Sequence, residues 1–430
     1  MSQLSIKSRL TQSDYFKSEI LPWVVCLSAG LFFFYDFVQL NVMSSIGSYL
    51  ITEYKLSATQ LGNLAAMYLY AQLTCLFLSG YLLDRISTRK IILTGMIICV
   101  ISTFWFAWAT DLWMLHVARA MCGATAAFCF LSCIMLATRW FPPQKMATIT
   151  GVIVTMAMWG GAMAQRPMDM MVLQHGWRQA VYINAIVGLF LFMWMFYFVQ
   201  DGPAKRTEKK ETLPLTQTLR IVLSSRQNWC AAWYTALMNS VVFVLGAVWG
   251  SQYLMKVHHC TQQDATAITM MIFFGTMIGS PLVGWLSDKI SLRRAPMVLG
   301  AVLSFVVMVI LMLVNQWSHT ALYIIFFLLG LLTSTQIITY PVIFESNDKR
   351  IIGMCESFAA VIILGVGAVL LPLFGVIMDI LNPHANLVYT SSDYQAALCL
   401  FPICFLISIC LSWFLTETHC KRQEEIQTNG

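Results

Sequence analysis

Long apolar runs follow one another along almost the whole sequence, with few charged residues between them. A bilayer core about 30 Å thick is crossed by about 20 apolar residues in a helix, and the runs have this length. Only 11% of the residues are charged, against about 25% in soluble globular domains. A chain inside lipid must satisfy its own backbone hydrogen bonds, and a helix does so within one segment. The sequence therefore predicts an all-α membrane protein.

A hydropathy window of about 19 residues predicts a bundle of transmembrane helices. The twelve predicted spans are 20–43, 60–83, 91–110, 112–138, 146–172, 179–199, 230–253, 265–287, 296–315, 320–343, 352–379 and 395–416. We expect three regions: a six-helix bundle over 1–200, a cytoplasmic linker over 201–228, and a second six-helix bundle with a short cytoplasmic tail over 229–430. In the linker, Leu213 to Leu223 predicts either an amphipathic helix on the membrane surface or an unstructured tether.

The distribution of lysine and arginine between the spans predicts the orientation of the chain. Of the 26 basic residues, 21 fall in loops on one side, whereas Lys55, Arg178 and Lys256 fall on the other. Because basic loops are retained in the cytoplasm, both termini are expected there. The predicted location is the inner membrane of a bacterium.

The composition excludes several other classes of protein. The net charge of +6 comes from loops beside the spans, where lipid headgroups and topology account for it, so we expect a lipid bilayer and no nucleic acid as partner. The thirteen cysteines lie mostly in apolar runs without metal-ligand spacing, and no phosphate-binding loop or nucleophile motif occurs. The sequence therefore predicts no metal, no cofactor and no enzymatic activity.

A short motif occurs twice, 204 residues apart. The copies run Gly80-Tyr-Leu-Leu-Asp84-Arg85-Ile-Ser-Thr-Arg89-Lys90 and Gly284-Trp-Leu-Ser-Asp288-Lys289-Ile-Ser-Leu-Arg293-Arg294. Each follows the second span of its half, which indicates a duplicated six-helix unit with pseudo-symmetry. Glycine permits close approach of helices, and an aspartate beside bases forms charge-assisted hydrogen bonds. We interpret both copies as conformational latches. The alternative, topogenic positive charge, does not explain the aligned glycine and aspartate.

The first copy resembles the G-x-L-x-D-R-x-x-x-R-K loop motif of the major facilitator superfamily. Arg119-x-x-x-Gly123 in span four and Gly176-Trp-Arg178 before span six are further matches. The segment Val248-Trp-Gly-Ser-Gln-Tyr-Leu254 resembles the end of span seven in a branch that includes the phagosomal amino-acid and nucleoside transporters of intracellular bacteria, and lysosomal dipeptide transporters are similar. The resemblance covers the whole chain. It implies two related bundles that transport a small molecule by alternating access, with spans one, four, seven and ten around a central cavity.

Span five departs from the pattern of antiporters in this superfamily. Gly151 and Gly160 fit that pattern, but Ala164 and Gln165 stand where glycine and proline belong. The departure favours symport over antiport.

Three ionisable residues inside the predicted spans are candidates for coupling, because a charge in lipid is costly and usually functional. They are Asp36 in span one, Arg119 in span four and Arg166 in span five, and we expect them at a similar depth. The hypothesis is that protonation of Asp36 releases Arg119 or Arg166 to bind a substrate carboxylate. The alternatives are a static ion pair between Asp36 and Arg119, and local satisfaction of Arg166 by Asp169.

Other polar or aromatic residues of the spans are candidates for substrate binding or coupling, since such groups in lipid face protein or a watery cavity. They are Tyr35, Gln39, Asn239, Trp249, Gln336, Tyr340 and Glu356. The resemblance implies a gate at Trp249, and the alternative is an interfacial aromatic belt. Glu356 is either a second protonation site or a surface partner of Lys349 or Arg350.

These observations together predict a monomeric secondary transporter that moves a small polar or anionic metabolite. An amino acid or short peptide is the first choice, with protons as the coupling ion in a symporter. The alternatives are proton-driven efflux of a drug or siderophore and, in another class, a membrane sensor that has lost transport.

Overall fold

The computed structural model describes residues 20–141, 145–202, 215–314, 316–348, 351–382 and 389–420. All regular structure in these ranges is helical. We refer to residues 20–202 as the N-terminal part and to residues 215–420 as the C-terminal part.

The described residues of the N-terminal part form eight helices. They are α1 (Leu21–Asn41), α2 (Met43–Tyr54), α3 (Ala58–Arg85), α4 (Thr88–Trp108), α5 (Leu112–Trp140), α6 (Met146–Met163), α7 (Arg166–His175) and α8 (Trp177–Phe198). Polar caps define several of their starts. At α3, the Ser57 hydroxyl accepts from the Gln60 amide while the Gln60 side chain accepts from the Ser57 amide, which satisfies two otherwise unpaired donors.

In the C-terminal part, the residues that the structure describes form ten α-helices and two short helices of other types. The α-helices are α9 (Leu215–Ser224), α10 (Arg226–Met238), α11 (Gly250–Val257), α12 (Gln262–Ile290), α13 (Arg294–Leu313), α14 (His319–Thr333), α15 (Thr339–Ser346), α16 (Ile352–Leu381), α17 (Ser391–Leu398) and α18 (Leu400–Phe414). A π-helix, Val241–Trp249, joins α10 to α11, and a 3₁₀-helix, Ser334–Ile338, joins α14 to α15. Helix α9 lies in the predicted linker, for which the sequence predicts either an amphipathic helix or an unstructured tether.

Ten helical segments among the described residues are long and apolar enough to cross a membrane. Two of the twelve predicted spans are not among them. Predicted span 60–83 corresponds to α3, a single helix of 28 residues. Predicted span 146–172 is interrupted at Ala164 and Gln165, which leaves pieces of 18 and 10 residues, shorter than the about 20 residues that a bilayer needs.

Helices α12 and α14 pack closely through glycines. A β-carbon on Gly275 would lie 2.1 Å from the Phe327 carbonyl oxygen, and one on Gly330 would lie 2.1 Å from the Ile272 carbonyl oxygen. Helices α12 and α14 therefore touch backbone to backbone, which only small residues allow.

The two parts are hydrogen-bonded to each other at one end of the bundle, which we call the joined end. It contains the C-terminal ends of α2 and α11 and the starts of α3 and α12. The Ser251 hydroxyl donates to the Ser44 carbonyl oxygen across 2.7 Å, and the Thr59 amide donates to the Asp379 carboxylate across 3.0 Å. Along the bundle, α3 packs on α16 and α6 packs on α12. The opposite end carries the start of α1 and the end of α18.

Candidate functional site

Asp36 is buried in α1 and is held by a tyrosine from α3. Its side chain is 1% exposed, and Tyr68 Oη donates to Asp36 Oδ1 across 2.5 Å. A carboxylate inside a membrane bundle requires such a donor, because an unpaired charge there costs several kcal/mol. The contact therefore ties the acid of span one to span two.

Arg119 lies on the other face of the same tyrosine. Its guanidinium carbon is 5.0 Å from the centre of the Tyr68 ring, a cation–π distance. Arg119 Nη1 donates to the Gln39 carbonyl oxygen at 2.5 Å, and Nη2 donates to the Ala65 carbonyl oxygen at 3.3 Å. The arginine thus joins α5 to α1 and α3. We call Asp36, Tyr68 and Arg119 the buried triad.

A glycine one turn after Arg119 allows this arrangement. A β-carbon on Gly123 would lie 2.0 Å from the Tyr68 carbonyl oxygen, so any larger residue would separate α5 from α3. The Arg119-x-x-x-Gly123 motif therefore sets how closely α5 packs on α3. The glycine brings span two against span four, and the arginine then covers the tyrosine ring.

The expected ion pair between Asp36 and Arg119 is wrong for this structure. Neither residue takes part in the ion pairs found among the described side chains. Backbone carbonyl oxygens and an aromatic face stabilise the arginine, while a hydroxyl group stabilises the acid. Tyr68 is not apparent from the sequence, because helical periodicity alone does not distinguish it from Tyr70. The close approach required at Gly123 is the signal that distinguishes them.

Arg166 belongs to a different cluster, at the joined end. Its Nη2 donates to Gln263 Oε1 at 3.1 Å, and Asp169 accepts a hydrogen bond from Thr266 at 3.3 Å. Both partners lie in α12, so α7 contacts the C-terminal part through polar groups. The structure thus corrects the expectation that Arg166 converges with Asp36 and Arg119, because the helix break before Arg166 directs α7 toward α12.

Three irregular helix segments meet beside this cluster. They are the end of α1 at Val42, the break between α6 and α7, and the π-helix. The Gln165 side chain accepts from Ser44 Oγ at 2.7 Å and donates to the Gly246 carbonyl oxygen at 2.8 Å. Ser45 Oγ donates to the Ala164 carbonyl oxygen at 2.7 Å. We call these contacts the polar knot; they satisfy backbone groups that regular helices would pair internally.

Tyr35 and Gln39, the other candidates in α1, have different environments. The Tyr35 hydroxyl donates to the Asn184 carbonyl oxygen at 3.2 Å and packs against Gly188. Tyr35 is therefore part of the packing between α1 and α8, which corrects its expected role in substrate binding. Gln39 is buried, and its Nε2 has no hydrogen-bond partner among the described residues.

The candidates in the C-terminal part are mostly neutral. Trp249 is fully buried, stacks on Phe374 and donates to the Leu371 carbonyl oxygen at 3.2 Å, so it does not lie in an interfacial belt. Gln336 is buried with an unpaired Oε1 in the described structure. Asn239 is partly exposed at the end of α10.

Tyr340 and Glu356 are exposed near the opposite end. Lys349 and Arg350, the expected surface partners of Glu356, lie outside the described residues.

The first latch copy binds the segment that follows α8. Asp201 accepts from the Ser87 hydroxyl, from the Arg89 amide at 3.0 Å and from Arg139 at 3.4 Å. Arg89 also donates to the Phe196 carbonyl oxygen at 2.8 Å. Arg85 and Lys90 are exposed. The surroundings of Gly80 and of the Asp84 side chain lie outside the described structure.

The second latch copy contains a buried ion-pair network. Arg293 binds Glu345 at 2.7 Å and Asp288 at 2.6 Å. Burial alone would lower the pKa of Arg293, but the hydrogen bonds to Glu345 and Asp288 outweigh it and raise that pKa. The expected close approach at Gly284 is wrong, since an added β-carbon meets nothing within 4 Å. Lys289 lies over the Trp285 ring at 4.8 Å.

The residues after α18 close this network. Glu417 accepts from the amides of Arg293 at 2.7 Å and Arg294 at 2.8 Å, and the Thr418 hydroxyl donates to Glu345 at 2.5 Å. Burial alone would raise the pKa of Glu417, but the two backbone donors outweigh it and lower that pKa below its ordinary value. Asp201 and Glu417 thus have equivalent roles in the two parts. Each binds the start of the helix that follows its latch copy.

Comparison with known proteins identifies the family. The model of the Major Facilitator Superfamily matches residues 26–350. The chain belongs to this superfamily. It is therefore a multi-pass membrane transporter of a kind found in bacteria, and not an enzyme.

This major facilitator protein is similar to curated transporters. It is 23% identical to a "Probable hexose phosphate transport protein" of Chlamydia pneumoniae over 388 residues, which cover 81% of this chain and 84% of the relative. It is 22% identical to a "Hexuronate transporter" of Bacillus subtilis, with 65% of this chain and 67% of the relative covered.

A solved structure shares the fold. It is a bacterial homologue of the human lysosomal transporter Spinster in an inward-facing and unoccupied conformation, with a TM-score of 0.77. The two chains are 17% identical, and the match covers 92% of this chain and 97% of that one. At this identity, the likeness shows the fold alone.

Proposed function

We propose that this protein is a proton-coupled symporter that imports a small anionic metabolite by alternating access. The observation that carries the proposal is the buried carboxyl of Asp36, which is bonded to Tyr68 inside a transporter fold. An ionisable group in such a position marks a proton or ion pathway by default. Proton entry at Asp36 would change the charge of the buried triad and so favour one conformation over the other.

Unpaired donors next to the triad support an anionic substrate. Among the described residues, Nε of Arg119 and Nε2 of Gln39 are buried donors without a hydrogen-bond partner. Buried donors of this kind are costly unless a ligand or water satisfies them. Two curated relatives are named for the transport of hexose phosphate and of hexuronate, which are both anions. Amino acids and short peptides, which the sequence favoured, carry a carboxylate that the same donors would bind.

The proposal includes an architecture and an orientation. We take the chain as twelve spans in two six-helix bundles, with α3 and the α6–α7 pair as the two spans beyond the ten. The joined end is then the external side and both termini are cytoplasmic, as the 21 loop bases favour. The described state would be closed to the outside of the bacterial inner membrane. The protein would function as a monomer.

Uptake into proteoliposomes tests the proposal. Purified protein is reconstituted, an inward proton gradient is imposed, and uptake is measured for a labelled hexose phosphate, hexuronate, dicarboxylate, amino acid and dipeptide. We expect the gradient to stimulate uptake of at least one anion. Asp36→Asn should abolish the stimulation, whereas Glu53→Gln, which breaks a surface ion pair with Arg178, should retain it because exposed pairs contribute little. Gradient-driven uptake of the same size in Asp36→Asn would overturn the proposal.

A further inference from the structure

Tyr68 contacts both charged groups of the buried triad with one rigid side chain. Its hydroxyl binds Asp36, and its ring lies under the Arg119 guanidinium. A displacement that alters one contact therefore alters the other. The residue was absent from the sequence candidates, and the family match does not assign it.

We propose that Tyr68 is a positioning residue that stabilises the charged form of Asp36 and transmits the loss of that charge to Arg119. The proposal rests on the proposed function. A hydroxyl donates a charge-assisted hydrogen bond to a carboxylate, which is about twice as strong as one to a neutral acceptor. When Asp36 takes up a proton, this bond weakens and the ring is free to shift. No bond other than the carboxyl O–H forms.

The path beyond Arg119 leads to the joined end. Arg119 donates to the carbonyl oxygen of Gln39, three residues before Val42, where α1 gives way to α2. The next residues, Ser44 and Ser45, belong to the polar knot. A shift of the guanidinium therefore acts on the backbone just before the contacts that join the two parts.

The backbone of Tyr68 is fixed, so its side chain is the element free to move. Its carbonyl oxygen lies where a β-carbon on Gly123 would be, at 2.0 Å, and leaves no space between α3 and α5. A buried side chain on a fixed backbone moves between discrete positions, because packed interiors deform in steps.

Several other groups face Asp36 and enter any account of its titration. They are Tyr68 from α3, Cys99 from α4, and Arg119, Cys129 and Cys133 from α5. The thiol of Cys129 donates to the Thr125 carbonyl oxygen across 3.7 Å, so the hydroxyl of Tyr68 is the donor that the structure places on the Asp36 carboxyl. Because an arginine stays charged and buried thiols are inert, the proton moves at Asp36.

A titration of the purified full-length protein tests the first half of the proposal without any substrate. The infrared carbonyl band of protonated carboxyl groups is followed against pH, and its Asp36 component is assigned by its loss in Asp36→Asn. Tyr68→Phe keeps the ring and removes the hydroxyl, so the midpoint should move to higher pH by about one unit. Tyr234→Phe is the matched control, since the Tyr234 hydroxyl binds Thr335 and the Met297 carbonyl oxygen. An equal midpoint in the unmodified protein and Tyr68→Phe would overturn the proposal.

A distance measurement tests the second half. Spin labels on Lys55 and His259, exposed on the two parts at the joined end, should give a distance distribution that follows the Asp36 titration in the unmodified protein. In Tyr68→Leu the infrared band should still titrate while the distance distribution no longer changes with pH. A distribution that still follows pH in Tyr68→Leu would overturn transmission through the ring. Failure of the proposed function would instead appear as absent uptake of every tested compound by the unmodified protein.

Discussion

The contacts that join the two parts of the chain differ in chemistry from the contacts within each part. At the joined end, contacts between the parts pair a hydroxyl, amide or single charge with a neutral group, as in the polar knot and at Arg166. At the opposite end, Arg139 pairs with Asp201 beside the first latch copy, and Arg293 of the second latch copy pairs with Asp288 and Glu345. Each ion pair between described residues lies within one part of the chain.

This difference fits a transporter whose parts move as rigid bodies. A neutral hydrogen bond contributes about 0.5–1.5 kcal/mol, and one to a single charged group contributes about 1.5–3 kcal/mol. The hydrogen bonds between the two parts can therefore be exchanged during a transport cycle. Breaking a buried ion pair leaves an uncompensated charge and costs about 3–5 kcal/mol. The strong contacts therefore keep each part intact, and the weaker contacts are those that alternating access has to break.

The largest expected effect comes from the buried network of the second latch copy. Arg293→Ala leaves Glu345 buried with the Thr418 hydroxyl as its remaining partner, and should lower the free energy of unfolding by about 3 kcal/mol. Arg294→Ala is the control, because that guanidinium stacks on Trp413 at 5.2 Å and should contribute below about 1 kcal/mol. Thermal unfolding of the purified protein measures both. Equal losses of unfolding free energy in Arg293→Ala and Arg294→Ala would show that the buried ion pairs are not the strong contacts within the C-terminal part.

A smaller effect is expected at the polar knot, on conformation and not on folding. Gln165→Leu removes the bonds to Ser44 and Gly246, at a cost of about 2 kcal/mol to the joined state. The population separated at this end should rise by about tenfold or more, measured with spin labels on Lys55 and His259.

Gln227→Leu is the matched control for the polar knot, because Gln227 bonds to the Thr416 backbone within the C-terminal part. It should leave the distance distribution unchanged. If Gln227→Leu widened the joined end as much as Gln165→Leu, the neutral contacts would not be what holds it.

The smallest effect concerns pH at the opposite end. The pKa of Glu417 is lowered in the folded state from its ordinary value of 4.5, so its contribution to stability is complete above that pH. It is lost as pH falls through the lowered pKa. Hydrogen exchange at the amides of Arg293 and Arg294 should therefore accelerate beyond its intrinsic rate as the pH falls below 4.5 and through the lowered pKa of Glu417. Exchange that is insensitive to pH beyond its intrinsic rate would show that Glu417 does not cap α13.

Much of the fold follows from hydropathy, because span length and apolarity are properties of the sequence alone. The predicted spans 112–138 and 352–379 correspond to Leu112–Trp140 and Ile352–Leu381. The helix breaks could not be predicted in this way. The π-helix Val241–Trp249 is an apolar run like any other, and its Gly246 carbonyl oxygen accepts from Gln165, which is distant in sequence.

The candidate site was predicted less completely than the fold. The sequence identifies Asp36 and Arg119 because charges in apolar runs are conspicuous. It does not show that Arg119 binds backbone carbonyl oxygens, since every residue offers one. Tyr68 is equally hidden, because a tyrosine in a span is ordinary and its role depends on which face of α3 meets α1 and α5.

Proton movement driven by the substrate tests the central claim most directly. Proteoliposomes without a pH gradient are mixed with an excess of the transported anion, and the pH of a weakly buffered external medium is recorded. The account predicts that the unmodified protein carries protons inward with the anion, so the medium becomes alkaline, and that Asp36→Asn gives no pH change. Alkalinisation of equal rate in Asp36→Asn, or acidification by the unmodified protein, would contradict it.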